Sequence, residues 1–147
     1  MTFHVSVGDH AQFTKTVGEY DVLGFAGITG DLAPNHVDEH MMRDTPYGGR
    51  IAHGALVVGY MSTTSTMICQ NAEAKAKGPQ DEIPVSLGYD RIRFLKGVRI
   101  GDTLTVHYTI AEVDPEQRRS RSEIRVTNQD GDTVAVAQHI LKWVKKA

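Results

Sequence analysis

The sequence predicts an α+β fold in which a curved antiparallel sheet wraps round one central helix. Three observations predict it. Segments with period-two alternation fill the second half of the chain. One long segment, Gly54 to Asn71, is apolar near the helical period. The chain's 147 residues suit one core, so a single domain spanning 1–147 is expected. With 40% hydrophobic and 23% charged residues, the composition is that of a globular chain rather than a disordered one.

Taken in order, Val5 to Val7 and Phe13 to Val17 supply a short strand or two, and a short helix covers Glu19 to Gly27. The long helix carries Leu56, Val57, Tyr60, Met61, Thr64 and Ile68 and is apolar on most sides, which predicts burial nearly all round. Its run Ser62-Thr63-Thr64-Ser65-Thr66 has poor helix propensity, so packing must hold it. Residues 72–83, rich in Lys, Gly, Pro and Gln, read as a solvated, mobile connection. Strands at 85–95, 102–113, 119–128 and 132–144 then form a meander of four. Leu104, Val106, Tyr108 and Ile110 share one face, as do Ile124 and Val126; Val134, Val136 and Ile140 form the apolar set of the last strand, with Leu141 and Trp143 joining from its other face. Such alternation marks half-buried antiparallel strands. The turns fall at Lys96-Gly97 with Gly101-Asp102, at Asp114-Pro115, and at Asn128 to Asp132. A sheet curled round one buried helix is the hot-dog arrangement.

Sixteen basic against eighteen acidic side chains give a net charge of −2, which argues against a nucleic-acid partner. Cys69 is the only cysteine and can form no intrachain disulfide. The N-terminus shows no signal-peptide pattern, and the longest apolar run, Ala55 to Met61, is too short to span a bilayer. A cytoplasmic protein with no membrane partner is expected.

The densest cluster of chemistry-bearing residues lies in Phe25 to Asp38. Asp31 and His36 would stand roughly 140° apart on a straight helix. Gly30 and Pro34 break such a helix, and Pro34 pushes Ala33 toward an extended conformation. A loop that turns back can aim both side chains at one point, where they could act as acid and base on one bound water. These are also ordinary turn residues. The second cluster, Tyr47 to Leu56, opens the long helix. Free N–H groups there suit developing negative charge, and Gly54 would let a ligand approach the backbone closely; equally, the glycines could merely shape a tight loop. His53 reads as a structural hydrogen-bonding residue. Asp38, Glu39, His40 and His36 lack metal-ligand spacing, so no metal is expected; Asp38 and Glu39 read instead as the start of a short helix.

In this order and separation, Gly30-Asp31 through His36-Val37-Asp38 and Gly49-Arg50-Ile51-Ala52-His53-Gly54 closely resemble the MaoC-like hydratase/dehydratase family, which includes the (R)-specific enoyl-CoA hydratases. Phe94-Leu95 and Gly101-Asp102-Thr103-Leu104 are similar to its sheet signature, so the resemblance covers roughly Tyr20 to Trp143. It implies a hot-dog fold, a homodimer or a higher homo-oligomer of dimers, and acyl-CoA thioester substrates, with no cofactor beyond the coenzyme A of the substrate. The family's catalytic Asp and His fall on Asp31 and His36, its oxyanion donor on the backbone N–H of Gly54, and a supporting Ser on Ser62. The implied reaction is reversible syn hydration of trans-2-enoyl-CoA to (R)-3-hydroxyacyl-CoA. Ala33 stands where the family commonly has Asn, and Gly97 where many relatives have Pro.

Tyr47, Leu23, Leu56 and Tyr60 are candidates for the pocket wall. Arg91 and Arg93, with Lys96 and Arg99, are candidates for the coenzyme A phosphates or else form a solvated strand face. Arg43 and Arg50 would suit an acyl end that carries a carboxylate. Two rival functions are a hot-dog thioesterase and a non-catalytic acyl-thioester-binding subunit. The first would use a helix-borne carboxylate, which Gly54 to Asn71 lacks; the second is opened by Ala33 and opposed by the retained Asp31 and His36.

Overall fold

A computed structural model gives the structure of the chain over residues 3–76 and 80–147. Residues 77–79 of the expected connection lie outside the described residues. The elements run β1 (His10–Thr16), α1 (Glu19–Thr29), α2 (Pro34–Val37), α3 (Glu39–Met42), α4 (Gly54–Lys75), β2 (Glu82–Phe94), β3 (Thr103–Asp114), β4 (Arg119–Thr127) and β5 (Thr133–Lys145). The five strands form one antiparallel sheet in the order β1-β3-β4-β5-β2.

That order corrects the expected four-strand meander. Only β3, β4 and β5 follow one another; β2 pairs with β5, with Phe94 opposite Ala135, and the neighbour of β3 on its other side is β1. The intervening α4, about 33 Å long at 1.5 Å per residue, separates β1 from β2, which end as the two edges of the sheet. Register slips between Ser86 and Gly88, between Asp90 and Arg93 and between Ile110 and Glu112. Such bulges bend a strand and increase its twist, which lets the sheet curl round α4 in the hot-dog arrangement.

The buried stripe of α4 is Val57, Tyr60, Met61, Thr64, Ser65, Ile68 and Cys69, recurring at three- and four-residue steps. Expected burial all round is therefore corrected: Ser62, Thr63, Thr66 and Gln70 are exposed, and a serine–threonine face is the side that water covers. The helix also runs past Asn71 and takes in Glu73, one turn from its end.

Leu104, Val106, Tyr108 and Ile110 are buried as their alternation predicts, and so are Ile124 and Val126. In β5 Val134 is buried as expected, but from Ala135 onward the phase is the reverse of the expected one. Ala135, Ala137, His139, Leu141 and Trp143 face the core, while Val136 and Ile140 are half-buried on the outer face. His139 sits between Ser86 Oγ (2.7 Å) and the Tyr108 hydroxyl (2.8 Å) and stacks on Tyr89. Among the described residues, no helix is long and apolar enough to cross a membrane.

Candidate active site

Helix α1 stops at Gly30, whose left-handed φ of 81° a glycine adopts without strain and whose N–H bonds back to Ala26. Ala33 is extended (ψ 142°), as a residue before proline must be, and Pro34 opens the single turn of α2. The chain thus turns back between Asp31 and His36. His36 Nε2 lies 3.9 Å from Asp31 Oδ2, so the two side chains meet although a straight helix would part them. The His36 ring is buried, while the Asp31 side chain keeps 52% of its exposure.

The tautomer of His36 follows from its partner. Nδ1 lies 2.8 Å from the carbonyl oxygen of Ile51, which can only accept, so Nδ1 carries the proton and a neutral ring turns the bare Nε2 toward Asp31. Residues 51 and 52 are themselves anchored: the Ile51 N–H donates to Asn35 O (3.0 Å) and the Ala52 N–H to Val98 O (2.7 Å). Next in sequence, His53 is the N-cap of α4. It is 2% exposed, its Nε2 donates to the Asp31 carbonyl oxygen at 2.9 Å, and its ring stacks on His36 at 3.6 Å. Asp31, His36 and His53 each bring one potential ligand atom within 4.8 Å of the others. His53 Nε2 donates its ring proton to a carbonyl, so only Nδ1 of that ring keeps a lone pair.

Gly54 begins α4, where the first backbone N–H groups have no intrahelical acceptor. A side chain at this position would overlap the Phe94 ring. The close approach that requires a glycine is therefore made by the Phe94 ring. A cavity of about 370 Å³ is lined by His36, Gly54, Val57, Tyr47, Phe94 and Asn35, among others. The Tyr47 ring lies so close to Gly97 that a Cβ there would sit 2.7 Å from it. Asp31 stands beside this cavity, next to His36.

The structure thus brings His36, Gly54 and Tyr47 to one cavity, with Asp31 against His36 but not itself in the wall. Ser62 is exposed two turns along α4, roughly 12 Å from Gly54, and does not line the cavity. Arg91 and Arg93 are exposed on the edge strand that leads to Phe94; Arg91 sits in the bulge with a left-handed φ of 52°. Arg50 is committed elsewhere. Its NH2 group meets both Glu19 carboxylate oxygens (2.7 and 2.6 Å) and its Nε reaches Glu39 at 3.3 Å, which leaves it poorly placed to receive an acyl carboxylate. Leu23, Leu56 and Tyr60 are absent from the wall; burial pushes the Tyr60 hydroxyl up to about 12. Asn35 and Phe94 are among the wall residues to which the sequence alone assigns no part in the site.

A larger cavity, about 840 Å³, lies at the opposite end of α4. There Glu82 is held by Arg118 and by His4, which together keep its carboxyl down at about 2. Glu73, the acidic residue that α4 adds beyond Asn71, lines that cavity rather than the one at Gly54.

The MaoC like domain family matches residues 4–135 of the chain. A 3-hydroxybutyryl-CoA dehydratase of Methylorubrum extorquens is 36% identical over 132 residues, covering 90% of this chain and 76% of that protein. An (R)-specific enoyl-CoA hydratase of Rhodospirillum rubrum is 33% identical, covering 78% and 72%. The solved structure of the R-hydratase PhaJ1 from Pseudomonas aeruginosa, in its unliganded form, is 30% identical and superposes with a TM-score of 0.73 over 97% of this chain and 88% of that one.

Proposed function

The chain belongs to the MaoC-like domain family, and from that premise we propose that it is a hydro-lyase that reversibly hydrates trans-2-enoyl-CoA to (R)-3-hydroxyacyl-CoA. The observation that carries this reading is the meeting of the Asp31 carboxylate and the His36 imidazole, 3.9 Å apart, beside the free N-terminus of α4. The names of the similar proteins point to the same chemistry.

In the hydration direction, a water oxygen bonds to C3 of the enoyl thioester as the C2–C3 double bond yields its electron pair to the conjugated carbonyl. One water proton passes to the Asp31–His36 pair, and the pair delivers a proton to C2 on the same face. The negative charge that develops on the thioester oxygen meets the Gly54 N–H, helped by the dipole of the 22-residue α4. A separation of 3.9 Å is too long for a direct hydrogen bond, so both groups remain free to engage one reacting oxygen. Arg91 and Arg93, exposed on the strand leading to Phe94, are suited to the phosphates of coenzyme A, which enters as part of the substrate. The assembly we propose is a homodimer or a homo-oligomer of dimers in the cytoplasm.

The test is loss of enoyl-thioester absorbance across a panel of trans-2-enoyl-CoAs, with free thiol measured in parallel. Hydration without thiol release is expected. Thiol release would replace the reading with thioester hydrolysis, and binding without either change would make the protein a carrier of acyl thioesters.

A further inference from the structure

We infer that His53 is a positioning residue for the acid–base pair: it sets where the Asp31 loop stands relative to Gly54 and the face that His36 presents. The inference rests on the hydratase reading above for its kinetic consequence and on the geometry alone for its structural one.

The Asp31 side chain is half exposed and weakly tied. Its Oδ1 accepts only a long bond from the Ala33 N–H (3.3 Å), and the Asp31 N–H donates to Thr29 Oγ1 at 3.2 Å. Thr29 closes α1 and Ala33 lies two residues beyond Asp31, so neither bond fixes the turn against α4. The His53 Nε2–H to Asp31 O bond, at 2.9 Å, ties that turn to the residue that caps α4. His53 is well placed for this. Its extended backbone (φ −60°, ψ 134°) turns the side chain away from α4, while its own carbonyl accepts the Leu56 N–H and so starts the helix. One residue thus holds the Asp31 backbone with its ring and precedes the Gly54 N–H through its next peptide bond. The same ring packs between His36 (3.6 Å) and Phe25 (4.7 Å), giving the His36 imidazole a flat backstop.

The orientation comes at a cost. Nδ1 of His53 is buried without a hydrogen-bond partner, an arrangement that packing alone would not select over a phenylalanine. An unsatisfied buried acceptor is tolerated here because the other nitrogen is aimed at Asp31.

Two substitutions separate positioning from plain structural support. His53→Phe keeps the flat ring and removes both the orphan acceptor and the donor. The Asp31 carbonyl loses one part-buried hydrogen bond, a cost set against the removal of the buried, unpaired Nδ1. The melting temperature should therefore stay level or rise, while kcat falls about 10- to 100-fold with KM within about twofold, the cost of a slightly misplaced group. His53→Gln keeps a donor near Nε2 and should recover most of the lost kcat. Independently of turnover, backbone hydrogen exchange in segment 30–36 should speed up about tenfold in His53→Phe and stay near the wild-type rate in His53→Gln. Wild-type kcat together with wild-type exchange in His53→Phe would overturn the inference, as would equal losses in two folded variants. If His53→Phe fails to fold, a folded His53→Gln that is as slow as Asp31→Asn also overturns it. A wild-type protein inert on every enoyl-CoA would instead sink the hydratase reading, and the exchange rates would still decide the role of His53.

Discussion

Protonation of His139 should weaken the fold as the pH drops from about 6.5 toward 4. This imidazole is fully buried on the inner face of β5 between Ser86 and Tyr108, and burial pushes its pKa down to about 4. In the unfolded chain it titrates near 6.5. Between those values the unfolded chain binds a proton that the native state refuses. Stability is therefore complete above about pH 6.5 and declines as the pH falls to the folded value. The gap between the two corresponds to roughly 3 kcal/mol. Urea unfolding of the wild type and of His139→Gln, followed from neutral pH to about pH 4, isolates this group, because the other titrating side chains are common to both. The wild type should lose roughly 3 kcal/mol more than the variant over that range. Parallel stability curves would mean instead that His139 takes up its proton as readily in the native core as in water.

Two further substitutions probe the cavity and the core. Gly54→Ala puts a methyl where the Phe94 ring lies, but Phe94 is 55% exposed and can swing outward. That exposure costs about 1 kcal/mol, offset in part by the better helix propensity of alanine, so urea unfolding should show a small net change. Enoyl-CoA hydration should nevertheless fall about 100-fold as the methyl crowds the oxyanion position; a stability loss above about 3 kcal/mol would mean the ring cannot leave. Met61→Ala empties a fully buried position on the sheet-facing stripe of α4 and should cost about 2–5 kcal/mol with unchanged KM in the surviving folded protein.

The parts of the fold that were legible in sequence are those set by neighbours along the chain. In β3 the alternation of Leu104, Val106, Tyr108 and Ile110 matches the buried face because large apolar side chains fill it. In β5 the core face carries Ala135, Ala137 and His139, which do not read as core, while Val136 and Ile140 face outward and mislead. The place of β2 beside β5 depends on a pairing between residues far apart in sequence, to which turn signals are blind. The site divides in the same way. Asp31 and His36 could be paired from Gly30 and Pro34, since those residues dictate a turn within a few positions. The contact of Phe94 with Gly54 follows from where β2 ends in the sheet, and the bond from His53 to Asp31 spans 22 positions. No local pattern announces either one. Ser62 shows the converse: a motif supplies the residue type, but the phase of α4 leaves it exposed and outside the cavity wall.

Turnover of trans-2-enoyl-CoA by the wild type, Asp31→Asn and His36→Ala, measured side by side on proteins with matching circular dichroism and unfolding curves, decides whether the Asp31–His36 pair does the chemistry. Hydration by the wild type and a severe loss in each variant are expected, with a double variant little worse than either, as for residues that act as a unit. Near-normal rates in both folded variants, on a substrate that the wild type hydrates, would contradict that expectation and move the chemistry away from the Asp31–His36 pair.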